Sequence, residues 1–161
     1  MKNSTIFFLI LLLSGGFLYS QEHHSEEHSK EPGFETALTG VYFYTPESGN
    51  VDFGSELFIT YWISHKWAFG GAYTMVFEEE GRIGHELTAV VSHKPWPFLT
   101  LNAGPSFSMP NSHLDTKVSL SLEGEYNYFF GDTGWHTGPV LGAQIGEDFK
   151  IIMGLQLGYE F

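Results

Sequence analysis

Cysteine is absent from the 161 residues. That excludes structural disulfides, thiolate metal ligands and a lipid-modified N-terminal cysteine. Basic residues are scarce: seven Lys and Arg stand against nineteen Asp and Glu, a formal charge of -12. So acidic a chain lacks the cationic surface that phosphate recognition needs, which argues against nucleic acid as a partner. Charged residues of either sign reach only 16%, while aromatic residues make up 17% and there are nineteen glycines. That balance is unusual for a soluble domain and suits a sheet with crowded corners and aromatic girdles. Long apolar runs are also missing beyond the N-terminus. The one continuous run, Ile6 to Leu13, is eight residues long, too short to cross a bilayer as a helix.

That run has the layout of an export signal. Lys2 precedes it, the small residues Ser14-Gly15-Gly16 follow, and Leu18-Tyr19-Ser20 leads into the polar Gln21-Glu22. Residues 1–20 are read as a signal peptide cut after Ser20, the alternative being an uncleaved anchor. Residues 21–33, QEHHSEEHSKEPG, have no apolar side chain but Pro32 with which to build a core. They are read as a disordered, His/Glu-rich periplasmic tail.

From Phe34 onward the chain alternates. Between Phe149 and Phe161 the odd positions Phe149, Ile151, Met153, Leu155, Leu157, Tyr159 and Phe161 are all apolar or aromatic. The even positions are Lys150, Ile152, Gly154, Gln156, Gly158 and Glu160, of which only Ile152 is large and apolar. Successive side chains on a strand point to opposite faces, so one face is greasy and the other polar or bare. The same split recurs upstream, with Phe58 and Trp62 as exceptions and both faces of the first strand carrying apolar residues. Eight strands are predicted at 34–44, 52–63, 67–77, 82–93, 98–108, 116–130, 135–146 and 149–161. The stretch 34–161 divides into about 16 residues per strand and turn, suiting spans of about 9–11 residues.

Alternation alone also fits a soluble, lipocalin-like carrier. The discriminator is which face fits inside. The lumen of a closed eight-stranded barrel is narrow and filled by side chains. Here the polar set is mostly small, with a few ions that can pair: Glu56, Arg82, Glu86, Lys117, Glu123, Glu125, Lys150 and Glu160. The apolar set is bulky and belongs outside, against lipid. Closure satisfies every backbone group without an open edge. Rings such as Trp67, Trp96, Tyr126, Trp135 and Phe161 fall near strand ends, where interfacial belts lie; ordinary cross-strand aromatic pairs are the alternative. The expected fold is all-β: an eight-stranded antiparallel up-and-down transmembrane β-barrel over 34–161.

On these features the chain resembles the small outer-membrane barrels of the OmpA and OmpX type. Phe161, with Tyr159, Leu157, Leu155 and Met153 at alternate positions, is similar to the terminal pattern that barrel-assembly machinery reads in that class. Glycine stands at 154 and 158, not at 156 where that signal often has it. The resemblance implies location in the cell outer membrane, with its lipid and lipopolysaccharide as partners and the assembly machinery engaged during insertion. It also implies both termini in the periplasm, with the connections at 45–51, 78–81, 109–115 and 147–148 facing outward. The barrel is expected alone, without the peptidoglycan-binding domain of the two-domain OmpA arrangement.

Candidate chemistry is sparse, and no cofactor is expected. His23, His24 and His28, among Glu22, Glu26 and Glu27, are the one metal-like cluster, since imidazoles suit zinc, copper or nickel. A solvated spacer is the alternative. The lumenal acids and bases form a paired network or line an ion path; their acid excess would favour cations. A hydrolytic site needs a nucleophile, a His base and an orienting acid. Ser112 near His113 and Asp115 is the nearest candidate, and His85-Glu86 the next, although neighbours on a strand point apart. Neither has the His-x-Ser-Asn arrangement that resemblance to lipid A deacylases would require. His65, His93 and His136 read as turn or interface residues. The function expected is non-enzymatic, envelope-structural or surface-interacting. A narrow channel is the first alternative and a lipid-modifying enzyme the second.

Overall fold

A computed structural model describes residues 33–77, 82–109 and 116–161. The leader 1–20 and all of the expected tail but Gly33 lie outside the described residues. The strands are β1 (Gly33–Thr45), β2 (Asn50–Trp62), β3 (Trp67–Phe77), β4 (Ile83–Trp96), β5 (Leu99–Ser108), β6 (Val118–Tyr126), β7 (Tyr128–Phe129), β8 (Trp135–Ile145) and β9 (Phe149–Glu160). β6 and β7 are two pieces of one stave, broken at Asn127. The staves pair antiparallel with their neighbours in sequence, β6 and β7 both pair with β8, and β9 pairs with β1. The sheet is therefore a closed eight-stranded barrel with no free edge. Among the described residues no helix is long and apolar enough to cross a membrane.

Polarity is inverted as expected. On β9 Leu155 is 69% exposed and Leu157 49%, whereas Gln156 between them is 2% exposed. On β1 the odd residues Glu35, Ala37, Thr39, Val41 and Phe43 are buried, and Phe34, Leu38 and Tyr42 are exposed. Outward threonines find partners on the sheet: Thr36 Oγ1 donates to the Phe58 carbonyl at 3.1 Å, and Thr137 Oγ1 to that of Gln156. In lipid, which offers no hydrogen bonds, that pairing is what makes a hydroxyl tolerable. Rings ride the outer face near the strand ends, with Phe34 against Tyr61, Trp67 against His93, Phe98 against Tyr126, and Trp135 against Tyr159, centroids 4.2–5.7 Å apart. These four pairs lie toward the end that holds the chain termini. Tyr42, Phe53 and Phe77 form a smaller group at the opposite, loop end.

Phe58 and Trp62, the sequence exceptions, point inward. Phe58 packs with Ala37, Ala72 and Val90, and a second apolar patch joins Val41, Phe43, Val76 and Ile152. The lumen thus carries two apolar patches among its polar groups. Turns use glycine where the backbone demands it: Gly131 and Gly134 have φ of 59° and 80° at the β7–β8 turn, a region costly for residues with a Cβ.

The boundary that differs most from expectation is the end of β4. Lys94 to Pro97 reads as a turn, yet β4 continues to Trp96. The register with β5 slips by one residue between His93 and Trp96. A bulge absorbs Pro95, which has no N–H to offer the ladder, and Lys94 stays on the lumenal face.

Candidate functional site

Among the described residues polar side chains converge in the interior, which divides into a mouth, a middle and a closure. At the loop end a vestibule of about 290 Å³ is lined by residues including Asp52, Arg82, Glu86, Lys117, Gln144 and Lys150. Lys117 is half-exposed there and bridges to Glu147 at 3.0 Å and Asp148 at 3.6 Å. The hydrogen bond to Glu147 holds its ammonium above the ordinary lysine range, with the charges of Glu147 and Asp148 adding to it.

In the middle, inward glutamates are held by neutral donors. Thr74 Oγ1 donates to Glu56 at 2.8 Å, Gln144 Nε2 to Glu86 at 2.7 Å, and Ser121 Oγ to Glu123 at 2.9 Å. Asn102 Nδ2 donates to Glu125. A relay of amides continues downward, Gln156 Nε2 to Asn127 Oδ1 at 2.6 Å and Asn127 Nδ2 to Thr100 Oγ1 at 2.9 Å. Asn127 is thereby committed to the lumen where its strand breaks. Buried polar groups need such partners, since leaving one unsatisfied costs about 1–3 kcal/mol.

The termini end is closed. Lys94 Nζ lies 2.8 Å from Glu160 Oε1, 4.3 Å from the Trp62 ring centre and 5.8 Å from that of Phe129. Trp62 Nε1 donates to Glu35 Oε2 at 2.6 Å. His136 Nε2 stands 3.2 Å from Glu35 Oε1, with its imidazole fully buried. The ring packs against Gly158, where an added Cβ would come within 2.2 Å of Nε2. Between Glu35, Trp62 and Glu125 a void of about 10 Å³ remains, room for about one water.

The sequence candidates scatter. His23, His24 and His28 lie outside the described residues, as do Ser112, His113 and Asp115. His85 and Glu86 face opposite ways: Glu86 points into the lumen, while His85 Nδ1 meets Tyr73 Oη at 2.7 Å. They make no catalytic pair. Glu56, Glu86, Glu123 and Glu125 are lumenal as read, but no described base is their hydrogen-bond partner here, and Lys117 pairs instead with loop acids. His136 is neither a turn nor an interface residue; it is the most enclosed histidine of the described chain. Glu35 and Lys94 escaped the sequence reading, one on the strand with mixed faces and the other inside a Lys-Pro-Trp-Pro stretch that imitates a turn.

No protein-family model matches the chain, and no curated protein matches it in sequence. Solved structures do. The N-terminal β-barrel domain of Pseudomonas aeruginosa OprF superposes with a TM-score of 0.59 at 14% identity, covering 81% of this chain and 100% of that one. Neisserial surface protein A gives 0.58 at 10% identity, covering 84% and 100%. Ail, the attachment invasion locus protein of Yersinia pestis, gives 0.52 at 16% identity, covering 83% and 99%. At such identities the likeness is one of fold: the chain is a small eight-stranded barrel of the outer-membrane type.

Proposed function

We propose that the chain is an integral protein of the cell outer membrane with a non-enzymatic role, in envelope structure or in surface interaction. The observation that supports this most is the inverted polarity: leucines and aromatic rings form the exposed surface, and glutamates, amides and hydroxyls are buried. On this reading residues 1–20 direct export and residues 21–33 are a periplasmic tail. Lipid and lipopolysaccharide surround the barrel, and the assembly machinery inserts it. The vestibule opens outward. The closure by Trp62, Lys94, Phe129 and Glu160 disfavours a pore, and the separation of His85 from Glu86 removes one hydrolytic pair. Residues 21–33 retain the proposal of metal binding by His23, His24 and His28, which calorimetric titration of the tail peptide with zinc or nickel tests.

The experiment for the role joins two measurements. Purified protein in planar bilayers should show no discrete openings, and a deletion strain should keep its lipid A mass spectrum while losing envelope integrity. Regular conductance steps would favour the channel, and a changed lipid A mass would favour the enzyme.

A further inference from the structure

The closed end contains more than an ion pair. Glu35 on β1, His136 on β8 and Glu160 on β9 bring ligand-type atoms within 4.8 Å of one another. Glu35 is 5% exposed and His136 0%. Nδ1 of His136 has no hydrogen-bond partner, and Nε2 stands 3.2 Å from a Glu35 oxygen. A buried imidazole held against carboxylates with one ring nitrogen unpartnered is placed as a ligand is placed.

One of the three spacings matches a particular ion. Zinc holds nitrogen and oxygen ligands at about 2.0–2.2 Å in a tetrahedron, whose edge is then roughly 3.3 Å. The His136 Nε2 to Glu35 Oε1 distance of 3.2 Å is such an edge. Glu125 lines the same water-sized void as Glu35, so with Glu160 three carboxylates gather at this end beside the Lys94 ammonium. Trp62 Nε1, donating to Glu35 Oε2 at 2.6 Å, orients that carboxylate as outer partners of metal ligands do.

We propose that Glu35, His136 and Glu160 bind one divalent transition-metal ion of the zinc type at the termini end of the lumen. The ligands come from β1, β9 and β8, adjacent staves that include the seam where the first strand meets the last. The ion therefore clamps the closure of the barrel, and its binding adds to the stability of the folded state.

The test uses the full-length mature protein with His23, His24 and His28 changed to alanine, folded in detergent and stripped with chelator. Cobalt(II) is the probe. One equivalent should give the visible absorption of a four-coordinate site, zinc should bleach it, and zinc should raise the temperature at which the compact form is lost on gels. His136→Gln and Glu35→Gln should abolish both effects, and Trp62→Phe should weaken binding about 10–100-fold. If His136→Gln fails to fold, Glu35→Gln decides. No cobalt absorption in the parent protein would overturn the proposal, and so would absorption that survives in either folded ligand variant.

Discussion

Single residues do most to set the closed end. Gly158 leaves room for the His136 ring, and an added Cβ would fall within 2.2 Å of Nε2. Gly158→Ala should therefore push the imidazole out of its slot and destabilise the barrel by about 1–3 kcal/mol, the usual cost of overpacking. Urea titration in detergent micelles checks it, and an unchanged midpoint would mean the ring moves freely. Lys94→Met removes the ammonium from a side chain only 11% exposed and bonded to Glu160. Breaking a buried pair costs about 3–5 kcal/mol, and a loss in that range is expected. Adding Glu160→Gln to Lys94→Met should recover most of that loss, since the stranded charge disappears.

Strands read well from the sequence where one period governed them. β9 alternates with the one exception of inward Ile152, and on the proposed reading its outward side meets lipid and its inward side a narrow, mostly polar lumen. Leu155 lies on that outer face at 69% exposure, paired with Gly40 and Pro139. Leu155→Arg should cost about 2–4 kcal/mol if it sits near the bilayer midplane, measured by reversible unfolding from lipid vesicles. A neutral result would place it away from hydrocarbon. β4 was less legible. Pro95 ordinarily ends a strand, and only the bulge, a tertiary feature, lets the ladder run on to Trp96. Lys94 was hidden for that reason. β1 was hidden by volume: Val41 and Phe43 are apolar and inward because they pack with Ile152 on the adjoining β9 and Val76 on β3, a relation no local pattern contains. His136 was hidden by its place beside Trp135 and the Gly131–Gly134 turn, where a histidine resembles an interfacial residue.

The whole molecule follows from one choice of solvent. With lipid outside, bulky side chains gain space on the convex surface, small and ionic ones fill the centre, and closing β9 onto β1 leaves no backbone edge unpaired. The closed end and the open vestibule then give the barrel two unlike faces, one enclosed and ion-paired, the other wide, polar and bordered by loops. The most direct measurement of this arrangement takes isolated outer membranes, washes them with alkaline carbonate, and compares the protein's gel migration with and without boiling. The protein should remain in the pellet and run as a faster, compact band until boiled. Release into the wash as a detergent-free monomer, or identical migration before and after boiling, would contradict an apolar face turned to lipid.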